Sequence, residues 1–191
     1  MDKCEQIIEA TADLIAANGL QSSPVAMVAK QACCGAGTIY RYFGTKEELV
    51  EAVYLQLMQR ITSATLAGDD PGKGVRERLN KMWLNLFHYL SDTPRDAALI
   101  DQLSVAPAIC ELKQRAAQNE LQAGIHGLFE EGRAQGIIKN LPNEVLGIYV
   151  YGGISTLVRL AHTAPGLREH TITDDMVLGL CWDAISIHQT Q

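Results

Sequence analysis

The side chains best suited to chemistry in this sequence lie close together, between positions 38 and 46. Thr38, Tyr40, Arg41, Tyr42 and Lys46 supply hydroxyl, guanidinium and ammonium groups within one short stretch. Such groups donate hydrogen bonds to phosphate oxygens, and a guanidinium can also bond the edge of guanine in the major groove. These residue types therefore predict contact with double-stranded DNA.

Two short helices joined by a tight turn are predicted to present these side chains. From Val25 to Leu49 the sequence reads VAMVAKQACCGAGTIYRYFGTKEEL. The spacing of its apolar residues predicts one helix that ends near Ala32 and a second from about Ala36 to Phe43, with Gly44 closing the second. This order is typical of a helix-turn-helix, whose second helix enters the major groove.

The second short helix is predicted to have one apolar and one polar side. At about 100° per residue, Ile39 and Phe43 share one side while Gly37, Thr38 and Arg41 lie roughly opposite. We therefore expect Ile39 and Phe43 to hold this helix against the protein and the polar side to stay free. The preceding helix offers them a face of small apolar residues: Val28, Ala29 and Ala32.

Helix signals also frame this stretch on both sides. Asn18 and Gly19 are residues that end a helix, and Ser23 with Pro24 supplies a cap and a first-turn proline for the helix that follows. Downstream, Thr45 and Glu48 have the spacing of a capping box. They predict the start of a long helix that runs from Lys46 to about Leu66.

The rest of the chain also reads as helical, so the predicted fold class is all-α. The segment AGDDPGKG, residues 67–74, concentrates turn-forming residues and is the clearest boundary in the chain. Beyond it the sequence predicts helices near 75–91, 94–104, 107–135, 142–163 and 173–189. We assign residues 1–48 to a helix-turn-helix domain and residues 49–191 to a larger helical domain.

The net charge limits how this chain could bind DNA. It is −6 for the whole chain, and residues 1–50 contain four Lys or Arg against six Asp or Glu, a balance of −2. Phosphate binding depends on Lys and Arg that displace counterions, so any DNA contact has to be local. Three of those four cations do lie in the helix-turn-helix stretch: Lys30, Arg41 and Lys46.

The sequence lacks the motifs typical of enzymes, metal-binding proteins, secreted proteins and membrane proteins. The sequence contains no GxSxG, no phosphate-cradling glycine loop and no HExxH or CxxC, and its five histidines are scattered, so we expect no catalysis, no metal site and no cofactor. Acidic residues interrupt the apolar N-terminal stretch, unlike a signal peptide, and glycines and Arg159 interrupt the longest apolar run, Leu146 to Leu160. We expect a cytoplasmic protein that does not span a membrane.

The first third of the chain resembles the N-terminal domain of the TetR family of transcriptional repressors. The segments IIEATADLIAANG, VAMVAKQA and GTIYRYFGTKEELVEAV carry this resemblance over about 50 residues. It rests on residues that occur in order and at fixed spacing: Gly19, Ala29, Ala32, Gly37, Thr38, Tyr40, Phe43, Lys46, Glu47 and Leu49.

The resemblance implies a homodimer whose two recognition helices enter successive major grooves of a pseudo-palindromic operator, about 34 to 36 Å apart. It also implies a C-terminal domain that binds a small-molecule effector and forms the dimer through its last two helices. Small residues in GIYVYGGISTLVRLA fit such close packing. The candidate DNA-contact residues are Ser23, Ala36, Gly37, Thr38, Tyr40, Arg41, Tyr42 and Lys46.

Three positions depart from the family's pattern. Ala26 and Ala36 stand where many relatives carry a polar or basic side chain, so they could touch only a thymine methyl, and Arg41 with DNA shape is left to supply specificity. Cys33 occupies a position that often favours glycine, which predicts some backbone strain. Cys34 takes the apolar position of the turn, and Cys4, Cys110 and Cys181 are interpreted as buried packing.

Within the larger domain, four aromatic residues would suit a pocket for an apolar or aromatic effector: Trp83, Phe87, Phe129 and Tyr149. Helical spacing explains each of them equally as a core residue. The segments around YRYFGTKEELVEAVYLQLMQ and DQLSVAPAI are most similar to multidrug-responsive members of the family such as RamR.

The leading hypothesis is a repressor that its effector releases from DNA. Oxidation or alkylation of Cys33 and Cys34 beside the recognition helix would instead make the protein an oxidant or electrophile sensor. A third possibility is a helical interaction module that has lost DNA binding, as the acidic N-terminal domain and the alanines at 26 and 36 would allow.

Overall fold

The computed structural model describes residues 2–107, 109–164, 166 and 171–187. Within these residues the chain is helical, which confirms the predicted all-α class, and extended backbone pairs only in one antiparallel bridge between Ile138 and Ser186. The helices are α1 Lys3–Asn18, α2 Val25–Gln31, α3 Ala36–Tyr42, α4 Lys46–Thr65, α5 Val75–Asp92, α6 Pro94–Leu103, α7 Glu111–Ala134, α8 Asn143–Thr163 and α9 Asp174–Ile185.

The chain folds into two compact units, and each unit is made of two separate segments of the sequence. Met1–Arg60 with Thr93–Gln118 forms the first, which we call the helix-turn-helix unit, and Ile61–Asp92 with Asn119–Gln191 forms the second unit. The chain therefore passes between them inside α4, between α5 and α6, and inside α7. The proposed division between residues 48 and 49 differs from these units and stays a prediction about domains.

The helix-turn-helix unit has a small apolar core. Ile39 and Phe43 are buried there against the small residues of α2 and against α1, as the helical wheel predicts. Its other members are Ile7, Ala10, Leu14, Val28, Ala29, Ala32 and Leu49. Small side chains on α2 allow the short helices to approach closely, so a seven-residue α3 gains enough contact to be held in place.

The second unit is built on buried stripes at helical spacing. On α8 every fourth residue from Leu146 to Val158 is buried, and on α9 the stripe runs from Val177 to Ile185. Both helices pack against α5. The buried residues of α5 recur every three or four positions: Val75, Leu79, Met82, Trp83, Leu86, Phe87 and Leu90.

Most predicted helix ends agree with the structure within a residue or two, and two do not. The helix predicted from 107 begins at Glu111, because the preceding segment forms successive turns that bury Ala106 and Ile109. The helix predicted to reach 189 ends at Ile185. There the backbone turns extended and pairs with the segment after α7, since Lys139 N donates to Ile185 O and Ile187 N to Ile137 O. Residues 188 and 189 lie outside the described part of the chain.

The residues predicted to begin or end helices near the helix-turn-helix are confirmed in part. Gly19 ends α1 with φ +85°, a conformation that favours glycine. The Thr45 hydroxyl oxygen accepts from Glu48 N at 3.1 Å, but the Glu48 carboxylate accepts from Gly44 N at 2.7 Å instead of completing the predicted box. Helix α3 ends at Tyr42 because Phe43 is already extended, so Gly44 does not close it.

The turn between α2 and α3 contains the strain that the sequence predicts. Cys33 has φ +49°, and within the described residues no other residue except glycine has a positive φ. A side chain in this left-handed region costs about 1 to 2 kcal/mol. Cys34 packs against the apolar core, as expected, while the Cys33 side chain is exposed.

Replacing Cys33 with glycine should therefore stabilise the protein. We expect the free energy of unfolding of Cys33→Gly to rise by about 1 kcal/mol, because relief of the strain exceeds the extra entropy of glycine in the unfolded chain. Denaturant titration followed by circular dichroism measures it. Cys33→Ser is the matched control, since it removes the thiol but keeps Cβ, and equal stability of the two variants would contradict a positive φ at this position.

Candidate nucleic-acid interface

Helix α3 presents one face to solvent. Tyr40 is 51% exposed and Tyr42 44%, and the side chain of Arg41 is exposed between them. Thr38 is half-buried, and an added Cβ at Gly37 would meet no protein atom within 4 Å. The buried Ile39 and Phe43 set this orientation, because side chains one or two positions away on the helix must point elsewhere.

Arg41 is supported by its neighbour. Its guanidinium carbon lies 5.7 Å from the centre of the Tyr42 ring, within the range of a cation–π contact. The Tyr42 ring in turn lies 6.5 Å from that of Phe43, centre to centre. The aromatic pair links an exposed cation to the buried core, so that Arg41 gives up less conformational freedom when it binds a phosphate or a base.

Lys46 lies in the first turn of α4 and already has a partner. Its ammonium donates to the carbonyl oxygen of Leu20 at 3.2 Å, across the loop between α1 and α2. The side chain is half-buried and two of its three donor positions remain after this bond. It can therefore hold the loop and contact a phosphate at the same time.

Ser23 does not have the predicted arrangement. It is 1% exposed, and its hydroxyl donates to the carbonyl oxygen of Gly19 at 2.8 Å, so in this conformation the side chain offers nothing to DNA. Pro24, not Ser23, is the cap of α2, and no side chain caps that helix. The predicted cap role of Ser23 is therefore wrong, because its hydroxyl bonds back to Gly19 in the loop that precedes α2. Its contact with DNA stays a prediction that the burial of the side chain does not support.

The alanines leave part of the surface without side-chain donors. Ala26 and Ala36 are exposed, and Gly35 caps α3 without a side chain. The exposed cation of α2 is Lys30 in its last turn. Lys3 instead faces the protein, where its ammonium donates to the carbonyl oxygen of Ala32 at 3.3 Å and so supports the turn. A contact between residues so distant in sequence leaves no local signal.

The remaining cysteines divide by burial. Cys4 packs against the helix-turn-helix core and Cys181 is buried on α9, as predicted, but Cys110 is exposed and that prediction is wrong. Burial raises the pKa of the Cys181 thiol to about 11. Cys181 is consequently a protonated, unreactive thiol at neutral pH.

The structure does not bring the four predicted pocket residues together. Trp83, Phe87 and Phe129 are buried in the second unit, whereas Tyr149 is 72% exposed. Tyr149 is one position from the buried stripe on α8, which turns it about 100° away from the core. It lies instead in an open groove of about 570 Å³ that runs along α8 from Ile148 to Leu160.

Family models match both parts of the chain. The model described as "Bacterial regulatory proteins, tetR family" matches residues 7–53. The model described as "Tetracyclin repressor-like, C-terminal domain" matches residues 75–186. The chain belongs to the TetR family of transcriptional regulators. Among the described residues, no helix has the length and apolar character to cross a membrane.

Three relatives show the extent of this similarity. The fatty acid metabolism regulator protein of Bacillus subtilis is 30% identical over 72% of this chain and 71% of its own. A TetR family protein from Vibrio parahaemolyticus is 33% identical with a TM-score of 0.82, over 98% of this chain and all of that one. FadR of Bacillus subtilis in complex with stearoyl-CoA is 24% identical with a TM-score of 0.73, over 96% of this chain and 99% of that one.

Substitutions on the exposed face should separate positioning from base reading. Lys46→Ala and Tyr42→Phe should weaken binding to all duplexes, and Lys46→Ala should lower the slope of log K against log salt by about one. Tyr42→Phe keeps the ring beneath Arg41 and so removes only the hydroxyl. Arg41→Ala should also relax sequence preference, because a bidentate contact to guanine discriminates by about 1 to 3 kcal/mol.

Fluorescence anisotropy with matched and mismatched duplexes measures these effects. Lys73→Ala, which removes a half-exposed cation from the loop after α4, controls for the change in net charge. Equal loss on every sequence for Arg41→Ala would exclude a base-reading role for that residue.

Proposed function

We propose that this TetR family protein is a cytoplasmic repressor that binds a pseudo-palindromic operator as a homodimer and leaves it when a small apolar or aromatic effector binds. The observation that carries the proposal is α3, whose Arg41, Tyr40 and Tyr42 are exposed together on a helix fixed by buried residues. A helix fixed on one side with donors on the other has the form of a major-groove reader.

The dimer is proposed from an exposed apolar surface on α8 and α9. Ile148, Tyr149 and Leu180 are large apolar residues of which about 70% is exposed. Added Cβ atoms at Gly152 and Gly153 would meet nothing within 4 Å, so a second helix could approach α8 closely. The groove along α8 and the neighbouring α9 would together pair with their copies as a four-helix bundle.

The effector is proposed to bind among the aromatic residues of the second unit. Trp83 and Trp182 have ring centres 6.4 Å apart, and Phe129 is fully buried. An apolar ligand that separated such rings would favour a different packing of the unit, and it would release DNA only through its preference for that packing. The similarity to a fatty acid regulator makes a long acyl chain the first candidate, and the resemblance to multidrug-responsive members makes an aromatic compound the second.

A titration with DNA from upstream of the protein's own gene tests the proposal. We expect a mobility shift that weakens steeply with salt, and we expect stearoyl-CoA or rhodamine 6G to reverse it. Coenzyme A without an acyl chain controls for the charged head group. No shift at low salt would contradict DNA binding and favour an interaction module, and a shift that neither ligand reverses would contradict the two effector classes.

The dimer has a separate test. Leu180→Glu should give a monomer in sedimentation velocity, because a buried carboxylate at the centre of an apolar interface costs several kcal/mol. Leu55→Glu, at an exposed leucine of the helix-turn-helix unit, is the matched control and should remain dimeric. A Leu180→Glu protein that stays dimeric would exclude this face as the interface.

A second candidate mechanism is release of DNA by modification of Cys33. The favouring observation is the exposed thiol on a backbone that is already strained beside α3. An adduct there would press against the turn that positions the recognition helix. Peroxide should then abolish DNA binding of the wild-type protein and spare Cys33→Ser, and equal loss in both would exclude this mechanism.

A further inference from the structure

A network of charged side chains joins three helices of the helix-turn-helix unit. Arg60 on α4 donates from Nη1 to Glu9 Oε1 on α1 at 2.9 Å. The same guanidinium donates to Asp96 on α6, from Nε to Oδ2 at 3.0 Å and from Nη2 to Oδ1 at 3.3 Å. Arg60 therefore holds α1 and α6 to α4 at once.

Arg95 on α6 closes the network from the other side. Its Nη1 donates to Glu9 Oε2 at 2.6 Å and to Asp13 Oδ1 at 2.8 Å, and its Nε to Asp96 Oδ1 at 3.2 Å. Glu9 thus accepts from two arginines, one at each carboxylate oxygen. The bidentate contact of Arg60 with Asp96 fixes direction as well as distance, because the guanidinium donors lie in one plane.

Burial makes these contacts more than surface ion pairs. The side chain of Asp96 is 4% exposed and that of Glu9 is 25% exposed. Partly buried charges are screened less by salt and are costly to leave without a partner. The geometry among Glu9, Arg60, Arg95 and Asp96 is therefore strongly preferred over any in which one of these charges is left alone.

Along the chain, the network residues of α4 and α6 stand near points where the sequence leaves or re-enters the helix-turn-helix unit. Arg60 is the last residue before the first passage, and Arg95 and Asp96 follow closely after the second, between Asp92 and Thr93. At the third passage Gln118 donates to the hydroxyl of the fully buried Tyr54 on α4, at 2.9 Å. Residues next to each passage are thus bonded to α1 or α4, the helices that flank the two short helices of the motif.

We propose that Glu9 is a positioning residue for operator recognition. None of the network residues belongs to α2, α3 or the turn, so they act on DNA only through the helices that they hold. By joining α1 to α4 and α6, the Glu9 carboxylate fixes the orientation of α1 within the helix-turn-helix unit, and with it the angle of the recognition helix that packs on α1. In the dimer this angle sets the spacing of the two recognition helices, so the inference rests on the proposed function.

The preference for half-site spacing is the readout that distinguishes positioning from simple stability. An operator selected by the wild-type protein from random duplexes is compared with the same operator carrying one extra central base pair, which moves the half-sites by about 3.4 Å and rotates them by about 35°. We expect Glu9→Gln to reduce the ratio of the two affinities about tenfold. Its salt slope should not change, because Glu9 contacts no phosphate. A protein that is only less stable loses affinity for both duplexes alike.

Two further variants complete the test. Glu111→Gln removes an exposed ion pair with Arg115 in the same unit and should leave the ratio unchanged. Arg95→Lys keeps the charge but cannot reach Glu9, Asp13 and Asp96 from two separate nitrogens, so it should reduce the ratio partly. It replaces Glu9→Gln if circular dichroism shows that variant unfolded. An unchanged ratio in both Glu9→Gln and Arg95→Lys would overturn this inference alone. A wild-type protein that binds no duplex would overturn the proposed function and the inference with it.

Discussion

A helix of seven residues is not stable by itself in water, so every role of α3 depends on the apolar contacts beneath it. Ile39 and Phe43 supply these contacts, and they can do so because α2 offers alanine and valine where larger side chains would hold the helices apart. This requirement also sets the chemistry of the opposite face. Once the side chains at positions 39 and 43 are buried, the helical geometry directs those at positions 40, 41 and 42 toward solvent.

The acidic character of the chain gives the exposed cations a selective role. With a net charge of −6, the protein has no general attraction to DNA, and binding has to come from a few donors in good geometry. The contact between Arg41 and the Tyr42 ring and the bond from Lys46 to Leu20 reduce the conformational freedom of those donors. Few cations in fixed positions favour discrimination between sites over affinity for any site.

Properties that depend only on residues close together in the sequence could be predicted from it. The helix-turn-helix, its buried and exposed faces and the strain at Cys33 follow from spacing and from the conformational preferences of single residues. The residue type of Tyr149 suits a pocket, but the direction of its side chain depends on which face of α8 is buried, and only the packed structure shows that face. The end of α9 at Ile185 likewise depends on pairing with a segment far away in sequence.

Glu9 shows why contacts between residues far apart in the chain could not be predicted from the sequence. As one more acidic residue on an amphipathic helix, it looks like a solvated charge, and its partners lie 51 and 86 positions away. Apolar packing is non-directional and tolerates small rotations, whereas hydrogen bonds from two guanidinium groups to the two oxygens of one carboxylate tolerate them far less. A protein that has to present a helix at one angle therefore gains from charges between α1, α4 and α6, even though apolar residues could supply comparable stability.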